Sequence, residues 1–350
     1  MPKICYIIGA HPSLSPGGAE VDIHNVAVEL KKRGWDIEFV TIGAGDKKTE
    51  KIDGFTVRYA YTQGQGLPII RFISHSLGFL KAFEESDADI YHQTCLGIAT
   101  GLAGYFCSRN KKKLVVTTEN ITDSKLELPL FTRLFAEYGL NKADAITALA
   151  NYMRIELEKR INRKVLVIHN SAVLPPKAPK PKDFVVLWAA RMVPHKHPEL
   201  FLKLAESLKD TKFIMCGKGP LLEKIQREAG ENVSVLGHVD FAKMNEQYKK
   251  ASVFVSTSEY EGFPVTYLEA WSNSTPVIGF WDPDNAITNH KLGYKAETIE
   301  EITDKIRTLR NNKALAEELG KNARAYVEKE HDVKKTALEY EKLYKKLLGG

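Results

Sequence analysis

The sequence predicts two consecutive α/β domains, each a parallel sheet of the Rossmann kind, facing one another across a cleft. Three observations lead there. Short β-branched runs alternate with helix-length segments along the 350 residues. The alternation breaks at one proline-rich stretch and then restarts. The length agrees, since a domain takes about 150 residues.

The elements follow in order. Lys3–Ile8, Ile37–Ile42, Val57–Tyr61, Asp89–Gln93, Leu114–Thr118, Ala145–Ala148 and Val165–His169 read as strands. Helical spacing lies between most of them, as in Ala19–Arg33 and Asn151–Arg160. Leu96–Cys107 is apolar and rich in small residues, yet too short to span a bilayer, so it reads as a buried helix. Leu126–Leu140 carries Leu130, Phe131, Leu134, Phe135 and Tyr138 with Arg133 between them. Two readings stand: a core helix of the first domain, which we favour, and an amphipathic helix meeting a membrane. Pro175, Pro176, Pro179 and Pro181 then fall within seven residues. They exclude a helix or a central strand and predict a semi-rigid linker. Beyond it come strands at Phe184–Ala189, Lys212–Cys216, Val233–Leu236, Ser252–Ser256 and Pro276–Phe280. The last helix, Val333–Leu348, packs either on its own domain or back on the first. The predicted layout is a domain over 1–174, a linker over 175–182, a domain over 183–332 and a helical tail over 333–350.

Composition narrows the function. Apolar residues make up 43% and charged residues 27%, as in a soluble globular protein with material for two cores. The net charge is +6, with 22 Lys and Arg against 19 Asp and Glu up to residue 170, and the remaining 28 against 25 after it. No half forms a basic arm, so we expect no nucleic-acid partner. Short runs such as Lys111–Lys113 and Lys345–Lys346 read as solvated faces, or else as contacts to anionic lipid headgroups. Cys5, Cys95, Cys107 and Cys216 are dispersed without metal-ligand spacing and read as reduced core residues. No signal peptide and no apolar run of 18 residues is evident, so the expected location is cytoplasmic.

The chemistry concentrates in Ser258–Ala270, which reads SEYEGFPVTYLEA. A strand runs into a loop holding Glu261, Gly262, Phe263 and Pro264, and a helix starts near Val265. A helix start presents free N–H groups and a dipole that favour an anion such as a diphosphate. Two carboxylates beside such a site suit hydroxyl groups rather than phosphate. On spacing alone, Glu261 and Glu269 need share no role.

The pattern E-G-F-P-x-x-x-L-E-A resembles the E-x7-E motif of retaining glycosyltransferases of the GT-B fold, in particular glycosyltransferase family 4. Further motifs match in order: Gly17-Gly18-Ala19-Glu20 after the first strand, Arg191-x4-Lys196, Gly217-Lys218-Gly219-Pro220, Val235-Leu236-Gly237 and Ser274-Thr275-Pro276-Val277-Ile278. The resemblance covers the second domain well and the first loosely. It implies a retaining hexosyltransferase that moves a sugar from a UDP- or GDP-sugar to a hydroxyl acceptor, with no metal and no cofactor. Arg191 and Lys196 would hold the diphosphate, Glu261 the transferred sugar and Glu269 the ribose. Gly262, Phe263, Val265 and Thr266 would line the phosphates and sugar, with Gly17, Gly18, Gly217 and Gly237 closing the nucleotide site.

The sequence departs from the family where a histidine usually follows a first-domain strand. Here VVTTENITD places Glu119 and Asn120 there, and His92 in YHQT is another candidate for the acceptor side. Two Asp-x-Asp pairs, Asp87/Asp89 and Asp282/Asp284, read as solvated rather than metal-binding. Expected partners are the sugar nucleotide, a glycan, lipid-linked or small hydroxyl acceptor, and the inner face of a membrane. A sugar-nucleotide binder or epimerase on the same fold is the alternative.

Overall fold

The computed structural model describes residues 2–13, 17–42, 48–61, 68–180 and 182–350. The contacts divide the chain into two units, Met1–Ser171 with Val333–Gly350, and Ala172–Asp332.

The first unit holds strands β1 (Lys3–Ile8), β2 (Asp36–Ile42), β3 (Thr49–Ile52), β4 (Phe55–Tyr61), β5 (Ile90–Thr94), β6 (Lys113–Thr118), β7 (Ala145–Ala148) and β8 (Leu166–Val167). They lie in the order β3-β4-β2-β1-β5-β6-β7-β8, all parallel except the β3–β4 hairpin. The order runs outward from β1 to both sides, so the sheet reverses direction between β1 and β5, where α/β sheets bind ligands. β3 has no sequence signature of a buried strand: TEKI sits at an edge, half exposed, and only the following Asp53-Gly54 marks its turn.

The final helix, Val333–Leu348, belongs to this first unit. Val333, Ala337, Tyr340 and Tyr344 repeat at helical spacing and are buried against the β1–β2 region, with Trp35 edge-on to Tyr344. The Tyr344 and Tyr6 hydroxyls lie 3.1 Å apart, and Arg33 reaches Glu341 at 3.4 Å.

The helices Ile98–Asn110 and Leu130–Lys142 cross closely because glycines meet there. A Cβ on Gly139 would stand 2.2 Å from the Thr100 carbonyl oxygen, and one on Gly104 would stand 2.9 Å from Gly139 Cα. That crossing buries Ala136, Gly139 and Leu140 and turns the other face of Leu130–Lys142 outward. Leu130 is 75% exposed, and Phe131, Leu134 and Tyr138 are exposed with it. The helix is therefore a surface helix, contrary to the favoured core reading. Its small residues make the packed face, and its large apolar residues lie off it. The neighbouring helix Pro68–Ser86 exposes Ile69, Ile70, Ile73 and Leu77, and its Phe72 ring meets Phe131 and Phe135 at 5.2 and 5.8 Å. No helix among the described residues is long and apolar enough to cross a membrane.

The second unit holds β9 (Val185–Ala189), β10 (Lys212–Cys216), β11 (Val233–Val235), β12 (Val253–Ser256), β13 (Val277–Gly279) and β14 (Gly293–Lys295). Their order, β11-β10-β9-β12-β13-β14, is wholly parallel and repeats the doubly wound pattern with its reversal between β9 and β12. Trp188, Phe201, Phe213, Met215, Val253 and Ile306 form the core beneath the flanking helices.

The unit boundaries fall at Ser171–Ala172 and Asp332–Val333, ahead of the proline run rather than inside it. The run itself is fastened to the second unit. The Lys180 ammonium donates to the Tyr248 and Ala251 carbonyls at 3.2 and 2.9 Å and to the Thr275 hydroxyl. Arg324 donates to the Pro175 carbonyl at 2.9 Å. Burial without a carboxylate partner pulls the Lys180 amine down to about 7.

Candidate active site

In the second unit, the carboxyl ends of three adjacent strands, β10, β9 and β12, gather most of the predicted donor residues. Arg191 and Lys196 follow β9, Gly217 follows β10, and Glu261 lies in the loop after β12. These are ends at the reversal point of the sheet.

Lys196 closes a one-turn helix, Pro194–Lys196, whose position is fixed from below. Thr257, just past β12, donates from its hydroxyl to the Lys196 carbonyl at 2.6 Å and accepts from the Trp188 indole of β9 at 2.9 Å. The Lys196 ammonium is nearly buried and donates to the Glu261 carboxylate, so two predicted site residues form one ion pair. Arg191 stays exposed and makes no ion pair among the described residues. Burial, followed by the charges of Lys196 and Arg191, holds the His195 imidazole below its usual range. His195 stacks on Tyr260 with ring centroids 6.3 Å apart.

Gly217 shows why glycine is required after β10. Its φ is +150°, and a Cβ would stand 1.9 Å from the Ala190 carbonyl oxygen. Its N–H donates to the Gly237 carbonyl at 2.7 Å, which brings a third strand end to the same place. Gly237 also has a positive φ, of 67°, and open space where a side chain would go.

The loop Glu261–Pro264 leads into the helix Val265–Ser272, with Pro264 at its cap. Phe263 and Pro264 are buried and anchor this start, while Gly262, Val265 and Thr266 remain partly exposed. The Gly262 carbonyl accepts from the Trp281 indole at 3.3 Å. One turn on, the Glu269 carboxyl accepts from the Tyr248 hydroxyl at 2.7 Å. Burial pushes Glu269 up from 4.5 to about 7, and the Tyr248 bond offsets only part of that. Tyr248 belongs to no motif. Only the folded packing brings it beneath Glu269, so sequence reasoning missed it.

The first unit carries the remaining candidates. Gly17 caps the helix Gly18–Lys32. The Glu20 carboxylate folds back over this start, so a Cβ on Gly17 would stand 2.3 Å from Glu20 Oε2. The helix start already holds an anion of its own. Glu119, after β6, sits among Asp22, Asp123 and Glu20, and burial followed by those charges pushes its carboxyl well above the usual range. Asp22 is raised to about 7 and Asp123 to about 6, again mainly by burial. Asn120 acts as a helix cap, its Oδ1 accepting from the Asp123 N–H at 2.8 Å and the Thr122 hydroxyl at 2.5 Å. His92 is a core residue rather than a ligand-facing one. It is fully buried, with Nδ1 2.6 Å from the Tyr344 hydroxyl and Nε2 2.6 Å from the Thr117 hydroxyl. Burial takes it down to about 3, so it stays neutral, and it leaves the candidate set.

Of the Asp-x-Asp pairs, Asp89 accepts from the Lys3 N–H at 2.8 Å and Asp282 from the Ile287 N–H at 2.7 Å. Asp89 thus ties the start of β1 to the entry of β5 and Asp282 holds a helix start, so neither is simply a solvated group. Asp87 pairs with Lys112 at 2.7 Å.

Comparison with known proteins gives the family and the fold. Residues 16–172 match the model "Glycosyltransferase Family 4", and residues 172–326 match "Glycosyl transferases group 1". The chain is 31% identical over 201 residues to the poly(ribitol-phosphate) alpha-N-acetylglucosaminyltransferase of Staphylococcus aureus, covering 53% of this chain and 40% of that protein. It is 30% identical over 152 residues to the alpha-monoglucosyldiacylglycerol synthase of Acholeplasma laidlawii, covering 40% of this chain and 38% of that one. The aligned stretches thus span under half of either relative's length. The fold matches sucrose-phosphate synthase of Thermosynechococcus elongatus with a TM-score of 0.83 at 18% identity, over the whole of both chains. It also matches Anabaena HepE, solved with UDP-glucose, with a TM-score of 0.78 at 16% identity over 98% of this chain and 99% of that one. The two family models tile residues 16–326 without a gap, and the chain belongs to the group 1 glycosyltransferases of the GT-B fold.

Proposed function

We propose that this protein is a retaining glycosyltransferase that takes its donor as a uridine-diphosphate sugar and needs no metal for the transfer. The supporting observation is the set at the reversal point of the second sheet: an exposed Arg191, the Lys196–Glu261 ion pair and the helix start after Pro264. Two fixed cations and a helix dipole compensate a diphosphate and the charge that builds on it as the sugar leaves. Glu261 takes a sugar hydroxyl in exchange for part of its contact with Lys196. Glu269 takes the ribose diol. The C1–O bond to the diphosphate breaks, the acceptor oxygen bonds C1 from the same face, and the acceptor proton passes to a phosphate oxygen of the leaving group. The choice of uridine follows relatives solved with UDP.

The acceptor is a hydroxyl presented at a membrane surface. The exposed apolar faces of Pro68–Ser86 and Leu130–Lys142, with Arg71, Lys81, Arg133 and Lys142 exposed among them, support peripheral contact with anionic lipid at the cytoplasmic face. A relative named for a diacylglycerol product points the same way.

The experiment is release of UDP from a panel of UDP-sugars with membrane-lipid and polyol-phosphate acceptors, with the product anomer read by NMR. Arg191→Ala and Glu269→Ala should each abolish release while the circular dichroism is unchanged. Full activity in either variant, or an inverted anomer, overturns the assignment. Binding of UDP-sugar without UDP release under any acceptor would instead favour a binding protein.

A further inference from the structure

The first unit holds a cluster that the transfer reaction does not use. Beyond β1, His11 is fully buried, and His24 points from the helix Gly18–Lys32 toward it, their rings edge-on at 5.2 Å. Asp53, from the turn between β3 and β4, reaches the same place, its Oδ2 3.5 Å from His24 Nε2. One ligand atom from each residue lies within 4.8 Å of the others. The Nε2 atoms of His11 and His24 are both buried and lack a hydrogen-bond partner. Such orphaned polar atoms are uncommon in folded proteins, and two facing one carboxylate call for a physical reason.

We propose that His11, His24 and Asp53 form a three-ligand site for a divalent transition-metal ion, with zinc as the best fit. Two imidazoles and one carboxylate with a fourth position open to water make a zinc set. Tetrahedral ligands at about 2.0–2.2 Å from the ion stand about 3.4 Å apart, so small side-chain movements close the cluster. Burial holds both imidazoles below their usual range, which keeps them in the neutral form that binds metal. The Ser13 N–H lies 3.4 Å from His11 Nδ1, a long contact that a proton moved to Nδ1 would give up on metal binding. The Ser13 hydroxyl donates to Asp53 Oδ2 at 2.6 Å and orients the carboxylate from outside. Asp53 is half exposed, which gives the ion a way in. The site ties the edge hairpin to the segment after β1 and to the helix that begins at Gly18. It contains no residue assigned to transfer.

The test uses the full chain freed of metal by chelator dialysis and titrated with zinc ion alone by calorimetry, with cobalt ion as a visible-absorption probe. We expect one zinc ion per chain, a higher melting temperature with zinc, and a cobalt spectrum of low coordination number. His24→Ala and Asp53→Asn should each weaken zinc binding by at least about tenfold. Asp53 lies at the surface, so Asp53→Asn keeps the result readable if His24→Ala fails to fold. No saturable binding by the wild-type chain, or equal binding by Asp53→Asn, overturns the proposal.

Discussion

Replacing Glu269 by glutamine separates what this carboxyl costs the fold from what it contributes to the donor site. Burial raises it from 4.5 to about 7 while the Tyr248 hydroxyl donates to it. A carboxyl raised in the folded state favours folding only while protonated. Its stabilising effect is complete below 4.5, is lost as pH climbs to about 7, and is absent beyond. At about 1.36 kcal/mol per pKa unit, that interval corresponds to about 3 kcal/mol. Glutamine keeps the shape and the acceptor for Tyr248 but never ionises. Glu269→Gln should therefore match the wild type in pH dependence at the acid end and gain on it by about 2–3 kcal/mol between pH 5 and pH 8.

The comparison is made by urea unfolding at a series of pH values, followed by tryptophan fluorescence. Trp188, Trp271 and Trp281 lie in the second unit and Trp35 in the first, so the signal weights the unit that holds Glu269. Asp22, Glu119 and Asp123 also titrate, but they do so in both proteins and cancel in the difference. Two parallel stability profiles would refute the reasoning, because the carboxyl would then be solvated and charged throughout. The same variant should lose transfer, since a carboxamide donates toward the ribose diol where a carboxylate only accepts.

Three further outcomes follow from the geometry. UDP binding should release protons near pH 6–7, because hydroxyls donating to Glu269 favour its charged form; calorimetry in buffers of different ionisation heat measures this, and buffer-independent heats count against it. Lys196→Ala should lower kcat by about 10²–10³ with the fold intact, the usual loss for one preorganised donor at developing charge, and steady-state kinetics with circular dichroism decides it. Glu119→Gln should leave UDP affinity within about twofold and flatten the pH dependence of stability above the ordinary carboxylate range, because its raised carboxyl favours the fold only while protonated; an unchanged profile would mean the group is already ionised.

Much of this molecule is legible in the sequence, for a definite reason. Strands buried on both faces read as near-continuous apolar and β-branched runs, as β1 and β6 of the first sheet do. TEKI and Gly293–Lys295 do not, because an edge strand is specified by its neighbour's backbone more than by its own side chains. The residues proposed for the donor stood out because they cluster in short motifs, which the structure places after strand ends. Tyr248 and Thr257 were not, since their roles arise from packing between distant segments. The helix Leu130–Lys142 was misread because apolar spacing reports an amphipathic face without saying which face packs. Three glycines, Gly101, Gly104 and Gly139, decided it.

The first unit also changes what its glycine loop can do. A phosphate at Gly17–Gly18 would have to displace the Glu20 carboxylate from the helix start. It would then face Asp22, Glu119 and Asp123, three carboxyls raised mainly by burial, Glu119 also by the charges of the other two and of Glu20. Adding a dianion to such a group is unfavourable by the same charge repulsion. Hydroxyls are different: each can donate to a carboxylate and stabilise its ionised form, which relieves the strain that burial imposes. The two units thus suit opposite chemistries. Arg191, Lys196 and the helix start after Pro264 match a diphosphate, while the acids around Glu119 match a polyol. A glutamate where the family usually has a histidine is consistent with that division.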